Sequence, residues 1–432
     1  MQYHQLGLKH TAGRDWRLFP AMTTTGFYDS FAQYIELSAV SSVELRTALD
    51  GTDPRICVKV LPLLFHEQQH WFDHLSTLAG RRRLVRAIEA MEARVADDPT
   101  QFWRIIDCLR TAEADYFDTY YQTINSLAPT DGRTRPWAWE LTAGMRFDPH
   151  GRLAEERPIF FTRFSWPDGS TACRVPFSVS ALLEARAMSA EMAVHLETAS
   201  KLPEGERIFE MKMASNLQLD RLYDPRLAVY NAAAHLIGNV IGIDDAIRAF
   251  KLASHLAHIC LDLPSQLFNM LKVPNHFAAW KERVPGAVAA GDRGFAFLVL
   301  AHHGADIPTE EPAQWLEETV RRGGLPCLAE IKTKSSAACA ELRSSAAAGR
   351  FTTRLEHLWV QGDAIRDSYG YTDSFASVGS SVSLPPVYCN DLSWVLHGQL
   401  AKTTSPDEVE RWWNSCNLLA RKFQEFRHAC GT

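Results

Sequence analysis

The stretch Leu63-Leu64-Phe65-His66-Glu67-Gln68-Gln69-His70-Trp71-Phe72-Asp73-His74 constrains the fold more than any other part of the chain. From Leu61 to Phe72 no residue outside the segment His66–His70 is charged. Pro62 is placed to open a helix, and neither proline nor glycine follows before Gly80. A helix this apolar belongs in a core, and a core needs a reason to hold two histidines and a glutamate. Positions i and i+4 lie about 40° apart around a helix, so His66 and His70 can present two imidazoles to one ion. Glu67 lies beside them and can take a proton from a metal-bound water. The plain alternative is a helix whose polar face happens to read His-Glu-Gln-Gln-His.

Composition narrows the class. The chain has 432 residues, 46% apolar and 22% charged, which is a globular composition and excludes whole-chain disorder. Lys plus Arg is 45 against 51 Asp plus Glu, a net charge of −6. No basic domain marks a nucleic-acid partner. The run Arg81-Arg82-Arg83 reads as a solvated helix face. No segment reaches the eighteen or so apolar residues of a membrane helix. The N-terminal MQYHQLGLKHTAGRDW lacks the apolar core of a signal peptide. Nine scattered cysteines with no CxxC pair read as reduced thiols, so the expected compartment is the cytoplasm. Oligomeric state is not legible.

The coarse organisation is mostly α with a small antiparallel sheet. The pattern is helical from Leu61 to Val95, with a break at Gly80, and again over 100–127. Turn signals at Asp148-Pro149-His150-Gly151 and Pro167-Asp168-Gly169-Ser170 punctuate β-branched and aromatic runs. Pro158–Phe164 and Thr171–Phe177 read as a hairpin within an insertion at about 136–177. An apolar helix follows from about Val179 to Leu196, and helical patterns dominate after Pro203. Ser405-Pro406-Asp407-Glu408 opens the last helix with a capping box. The expected division is a metal-binding catalytic domain at 1–200 and a helical domain at 201–432.

The HExxH segment resembles the active-site helix of zinc metallopeptidases, the zincins. The resemblance implies His66 and His70 as zinc ligands and Glu67 as general base. Asp73 stands where the elongated metzincin pattern has glycine, which argues against that branch. In the gluzincin branch a glutamate from a later helix completes the site. The segment around Glu184, Ser180-Ala-Leu-Leu-Glu184-Ala-Arg-Ala-Met-Ser-Ala-Glu191, resembles that third-ligand helix. Glu184, Glu191 and His195 share one stripe of it. Glu184 is the third-ligand candidate, and its plain alternative is pairing with Arg186 or Arg174. His74, Glu191 and His195 are alternative ligands or supports behind the ligands. His74 stands about 12 Å along the helix from His66 by the usual rise, too far to share one ion on a straight helix. Tyr223, Tyr230, His235 and Arg186 are candidate oxyanion donors, and a strand at Thr171–Phe177 is a candidate edge for an extended substrate.

The resulting expectation is a zinc-dependent, gluzincin-like hydrolase of peptide or protein amide bonds. Two His and a carboxylate also suit Fe(II), so a non-haem iron, HExxH-type oxygenase acting on a peptide is the alternative, with iron in place of zinc. A ferritin-like pair built on Glu36 and Glu67-Gln-Gln-His70 ranks below it, for want of a second ExxH. A helical binding scaffold without catalysis is the non-enzymatic reading. His255, His258, His302 and His303 read as core groups.

Overall fold

The computed structural model describes residues 25–117, 119–125, 136–147, 152–346, 348–373, 384–398, 402 and 404–429. The N-terminal reading and the turn at 148–151 lie outside these residues. The described strands are β1 (Gly26–Asp29), β2 (Tyr34–Leu37), β3 (Thr123–Ile124), β4 (Ala138–Phe147), β5 (Leu153–Ser165), β6 (Thr171–Pro176), β7 (Val387–Cys389) and β8 (Trp394–Val395). The helices run α1 (Ser42–Leu49), α2 (Pro54–Ser76), α3 (Leu78–Ala96), α4 (Trp103–Tyr116), α5 (Val179–Ser200), α6 (Glu204–Leu222), α7 (Ala228–Ile241) and α8 (Ala246–Asp262). They continue with α9 (Ser265–Phe268), α10 (Val284–Ala290), α11 (Arg293–His303), α12 (Pro312–Arg322), α13 (Leu328–Ser345), α14 (Thr352–Ser368) and α15 (Pro406–Ala429). The protein is mostly α with small sheets, as its patterning predicts.

Two compact units emerge, and neither is continuous in sequence. One comprises Met1–Glu113, Ala190–Ile208 and Leu342–Thr432; the other comprises Ala114–Ser189 and Phe209–Glu341. Helix α5 runs through the division at Ser189/Ala190.

In the first unit β1 and β2 are antiparallel, β2 pairs in parallel with β7, and β7 is antiparallel to β8. The parallel register Ile35↔Val387 joins distant parts of the chain. Helices α1 and α2 cover this sheet through Leu45, Val60 and Leu64, which pack on Ile35, Leu37 and Val387. Alternation along β2 places Ile35 and Leu37 on that apolar face. Helix α1 starts with a capping box, Ser41 with Glu44.

Helix α2 begins earlier than Pro62. Asp53 caps it by accepting the Arg55 N–H at 2.9 Å, and Pro54 sits at the first helical position. Pro62 is therefore inside the helix, where it leaves the Val58 carbonyl without its usual donor. The break also differs from the expected one. Helix α2 stops at Ser76, and Thr77 both ends it and caps α3, accepting the Gly80 N–H at 3.1 Å. Gly80 is not the breaker. A Cβ there would run into the carbonyls of Asp73 and His74, so glycine lets α3 fold back against the end of α2.

The Arg81–Arg83 run is the clearest departure from expectation. Arg81 is 1% and Arg83 8% exposed, so this is no solvated face. The last carbonyls of a helix have no intrahelical donor. Here Arg81 Nε donates to the Leu75 carbonyl at 2.7 Å, and Arg366 of α14 donates to the Ser76 carbonyl at 2.7 Å. A guanidinium there also meets the negative end of the helix dipole. Arg81 is held further by Asp363 at 2.7 Å and by the Trp359 ring, 4.6 Å from its guanidinium carbon. Gly362 lets α14 approach the Leu75 carbonyl closely. The end of α2 nearest the histidines is thereby fixed.

In the second unit the sheet order is β3-β6-β5-β4, all antiparallel. The predicted hairpin is β5–β6, with Phe164 opposite Cys173. Strand β6 lies inside the sheet with neighbours on both sides, which removes it as a candidate edge for a substrate strand. Helix α11 is the apolar centre of this unit: Phe295 to Ala301 are fully buried. No single described helix is long and apolar enough to cross a membrane. The eight described cysteines are all free thiols. Helix α15 opens as predicted: the Ser405 N–H donates to Glu408 at 2.7 Å, and the Glu408 N–H donates back to Ser405 Oγ at 3.3 Å.

Candidate metal centre

Helix α2 places His66 and His70 one turn apart, with ring centroids 5.2 Å apart in an edge-to-face arrangement. Helix α5 supplies Glu184. One ligand atom from each of His66, His70 and Glu184 lies within 4.8 Å of the other two. Around an ion with bonds of about 2.1 Å, tetrahedral ligand atoms stand roughly 3.4 Å apart. Side-chain rotations of about an ångström therefore close the set. His66 is 7%, His70 6% and Glu184 1% exposed. A carboxylate this buried demands a counter-charge or a metal. Among the described residues no other group of three His, Cys, Asp or Glu has this geometry.

The remaining predicted residues separate into distinct positions. Glu67 is buried, at 6% exposure, immediately after the first histidine. Glu191, two turns beyond Glu184 on α5, binds His66 Nδ1 at 3.0 Å. A carboxylate on Nδ1 fixes the tautomer and ring angle and leaves Nε2 as the nitrogen available to a metal. His195 is half-buried on α5 and does not join the cluster.

His74 also stays out of the cluster. Its Nδ1 is 2.8 Å from the Tyr28 hydroxyl and accepts from the Gln33 amide at 3.0 Å. Tyr28 in turn donates to the Gln33 carbonyl oxygen at 2.9 Å. Burial, reinforced by the nearby Arg83, pushes His74 down to about 3, so the ring is neutral. Gln33 reaches this position from the β1–β2 turn with φ +61°, a conformation uncommon outside glycine. The turn is held by Asp29, whose carboxylate accepts the Phe31 and Ala32 N–H groups, both at 2.8 Å. The polar pocket around His74 was invisible in the sequence, since Tyr28 and Gln33 carry no spacing signal relative to the motif.

Gln69 donates to Asp73 at 2.9 Å, a bond along α2. Gln68 is fully buried, and neither atom of its amide has a hydrogen-bond partner. Orphaned amide atoms in a core are rare, and sites that take up water or a polar ligand are where they occur. Two positions from each histidine along α2, Gln68 does not share their face of the helix.

Several sequence candidates have other roles. His235 is stacked on Trp137 at 5.5 Å, touches Tyr223, and its Nε2 lies 2.7 Å from the Leu222 carbonyl. Arg186 donates to the Ser254 carbonyl at 3.2 Å. Arg174 bonds Thr142 and lies over the Phe161 ring at 3.5 Å. His302 Nδ1 and His303 Nε2 lie at hydrogen-bonding distance from backbone carbonyls, of Leu298 and Lys272. His255 and His258 are buried on α8, outside the cluster. Glu36 lies on strand β2, so it cannot serve in a four-helix di-iron site.

No protein-family model, curated protein or solved structure matches the chain. The reading of the site rests on its residues.

Proposed function

We propose that the protein is a metal-dependent hydrolase of peptide or protein amide bonds, with zinc as the ion. The observation that carries this reading is the meeting of His66, His70 and Glu184 on two buried helices, with Glu67 directly after the first ligand. The donor set suits zinc: two imidazoles and one carboxylate leave a fourth position open. An ion held there would supply a bound water of lowered pKa. Glu67, next to the first histidine, would serve as general base toward water at the open position and as acid toward the leaving amine. Glu191 holds the His66 ring in orientation throughout.

Glu67→Gln separates the roles. It preserves shape and hydrogen bonding but removes the base. The variant is expected to hold wild-type metal and to lose about 10²-fold or more of peptide hydrolysis. Activity is read by mass spectrometry on a casein digest, because that substrate presents many different amide bonds. Full activity in Glu67→Gln would contradict the mechanism. Iron in the purified protein, with oxygen-dependent modification of a peptide instead of cleavage, would replace it by the oxygenase reading.

A further inference from the structure

A further site, built wholly from residues of the first unit, shares no residue with the metal cluster. It is a cavity of about 240 Å³ walled by Tyr34, Trp71, Trp394, Trp412 and Trp413, with Arg354 on its lining. Four indoles in one cavity are a large fraction of the chain's 12 tryptophans. Their rings are held by one another: Tyr34 meets Trp394 edge-on at 5.5 Å, and Trp394 meets Trp413 at 6.3 Å. Trp412 donates its indole N–H to the Ala32 carbonyl at 3.0 Å. It therefore offers the cavity a ring face and no donor. Preformed aromatic walls with a few polar groups, one of them a charged anchor, are the usual build of a small-molecule site.

Arg354 is that anchor. Its guanidinium lies over Trp412, 5.2 Å from the ring centroid, and its Nε is buried without a hydrogen-bond partner. No carboxylate pairs with it among the described residues. Glu408 lines the same cavity but accepts from the Ser405 N–H and hydroxyl as the cap of α15. His357, also on the lining, is held below its ordinary value by burial and then by Arg354. A guanidinium in an aromatic enclosure without its anion is costly, and a planar fork of donors matches a carboxylate.

We propose that this cavity binds a small planar aromatic carboxylate, its rings against the indoles and its carboxylate on Arg354. The cavity is smaller than the roughly 300 Å³ at which pockets for drug-sized ligands begin, which sets the size at one or two fused rings. Neither a free metal nor the hydrolase reading is needed for this binding.

Titration calorimetry of the full chain, kept in EDTA so that no metal captures the acid, tests it with two probes. 1-Naphthoate is expected to bind saturably at one site, at least about tenfold tighter than the isosteric 1-naphthamide, because only the acid forms the charge-assisted pair. In Arg354→Gln the acid is expected to fall to the affinity of the amide. Equal affinities in the wild-type protein, absence of saturable binding, or an undiminished preference in Arg354→Gln would each overturn the proposal. The acid–amide comparison on wild-type protein decides the matter even if the variant fails to fold.

Discussion

His66 and His70 on α2 and His235 on α7 are all buried histidines on apolar helices, yet their surroundings assign them different chemistry. Around His66 and His70 stand carboxylates, Glu184 within the cluster and Glu191 on Nδ1. Around His235 stand rings, Trp137 at 5.5 Å, Phe164 at 4.9 Å and Tyr223 at 5.3 Å, with one backbone carbonyl for its nitrogen. Burial alone drives His235 down to about 4 and makes it a neutral packing group. All three histidines are buried, so what separates them is the neighbour that burial brings, a carboxylate or an aromatic ring.

That contrast can be broken most sharply at Glu191. If the carboxylate on Nδ1 prepares His66 for a metal, Glu191→Ala should weaken zinc binding about 10- to 100-fold, read by competition with a chromophoric chelator. The fold should persist, since Glu191 is only partly buried. Unchanged affinity would reduce the Glu191 contact to packing.

The aromatic side of the contrast predicts a smaller effect, on stability and its pH dependence. His235 has a folded-state value of about 4 against 6.5 for the unconstrained ring. The unfolded chain therefore binds a proton between these values and the folded protein does not. Its contribution is intact above about pH 6.5, declines as pH falls through that window, and levels off near 4. The full loss is on the order of 3 kcal/mol. His74, held near 3, adds to the same acid weakening. In His235→Phe the decline between pH 6.5 and 4 should be shallower by His235's share, measured by urea unfolding of metal-free protein. An unaltered slope would mean that His235 titrates normally in the fold.

The legible parts of this protein share a cause. HExxH, Glu184 and the α15 capping box are local patterns, set by helix geometry over a few residues. The β5–β6 hairpin is local too. What was not legible depends on distant segments. The β2–β7 pairing joins Ile35 to Val387, which no local pattern encodes. Arg81 looked like surface because charge runs usually are. Its burial follows from the orphan carbonyls at the end of α2 and from Asp363 and Trp359 of α14, a helix far along the chain. The aromatic cavity is likewise assembled from Trp71, Trp394 and Trp412-Trp413, and only the last pair are neighbours in sequence.

The central claim is that His66, His70 and Glu184 hold one metal ion. Elemental mass spectrometry on protein purified without added metal, beside the His66→Ala/His70→Ala double variant, tests it most directly. The account predicts about one zinc per chain in the wild type and none in the variant. A folded protein with no bound metal, or with the same metal content in both forms, would contradict it.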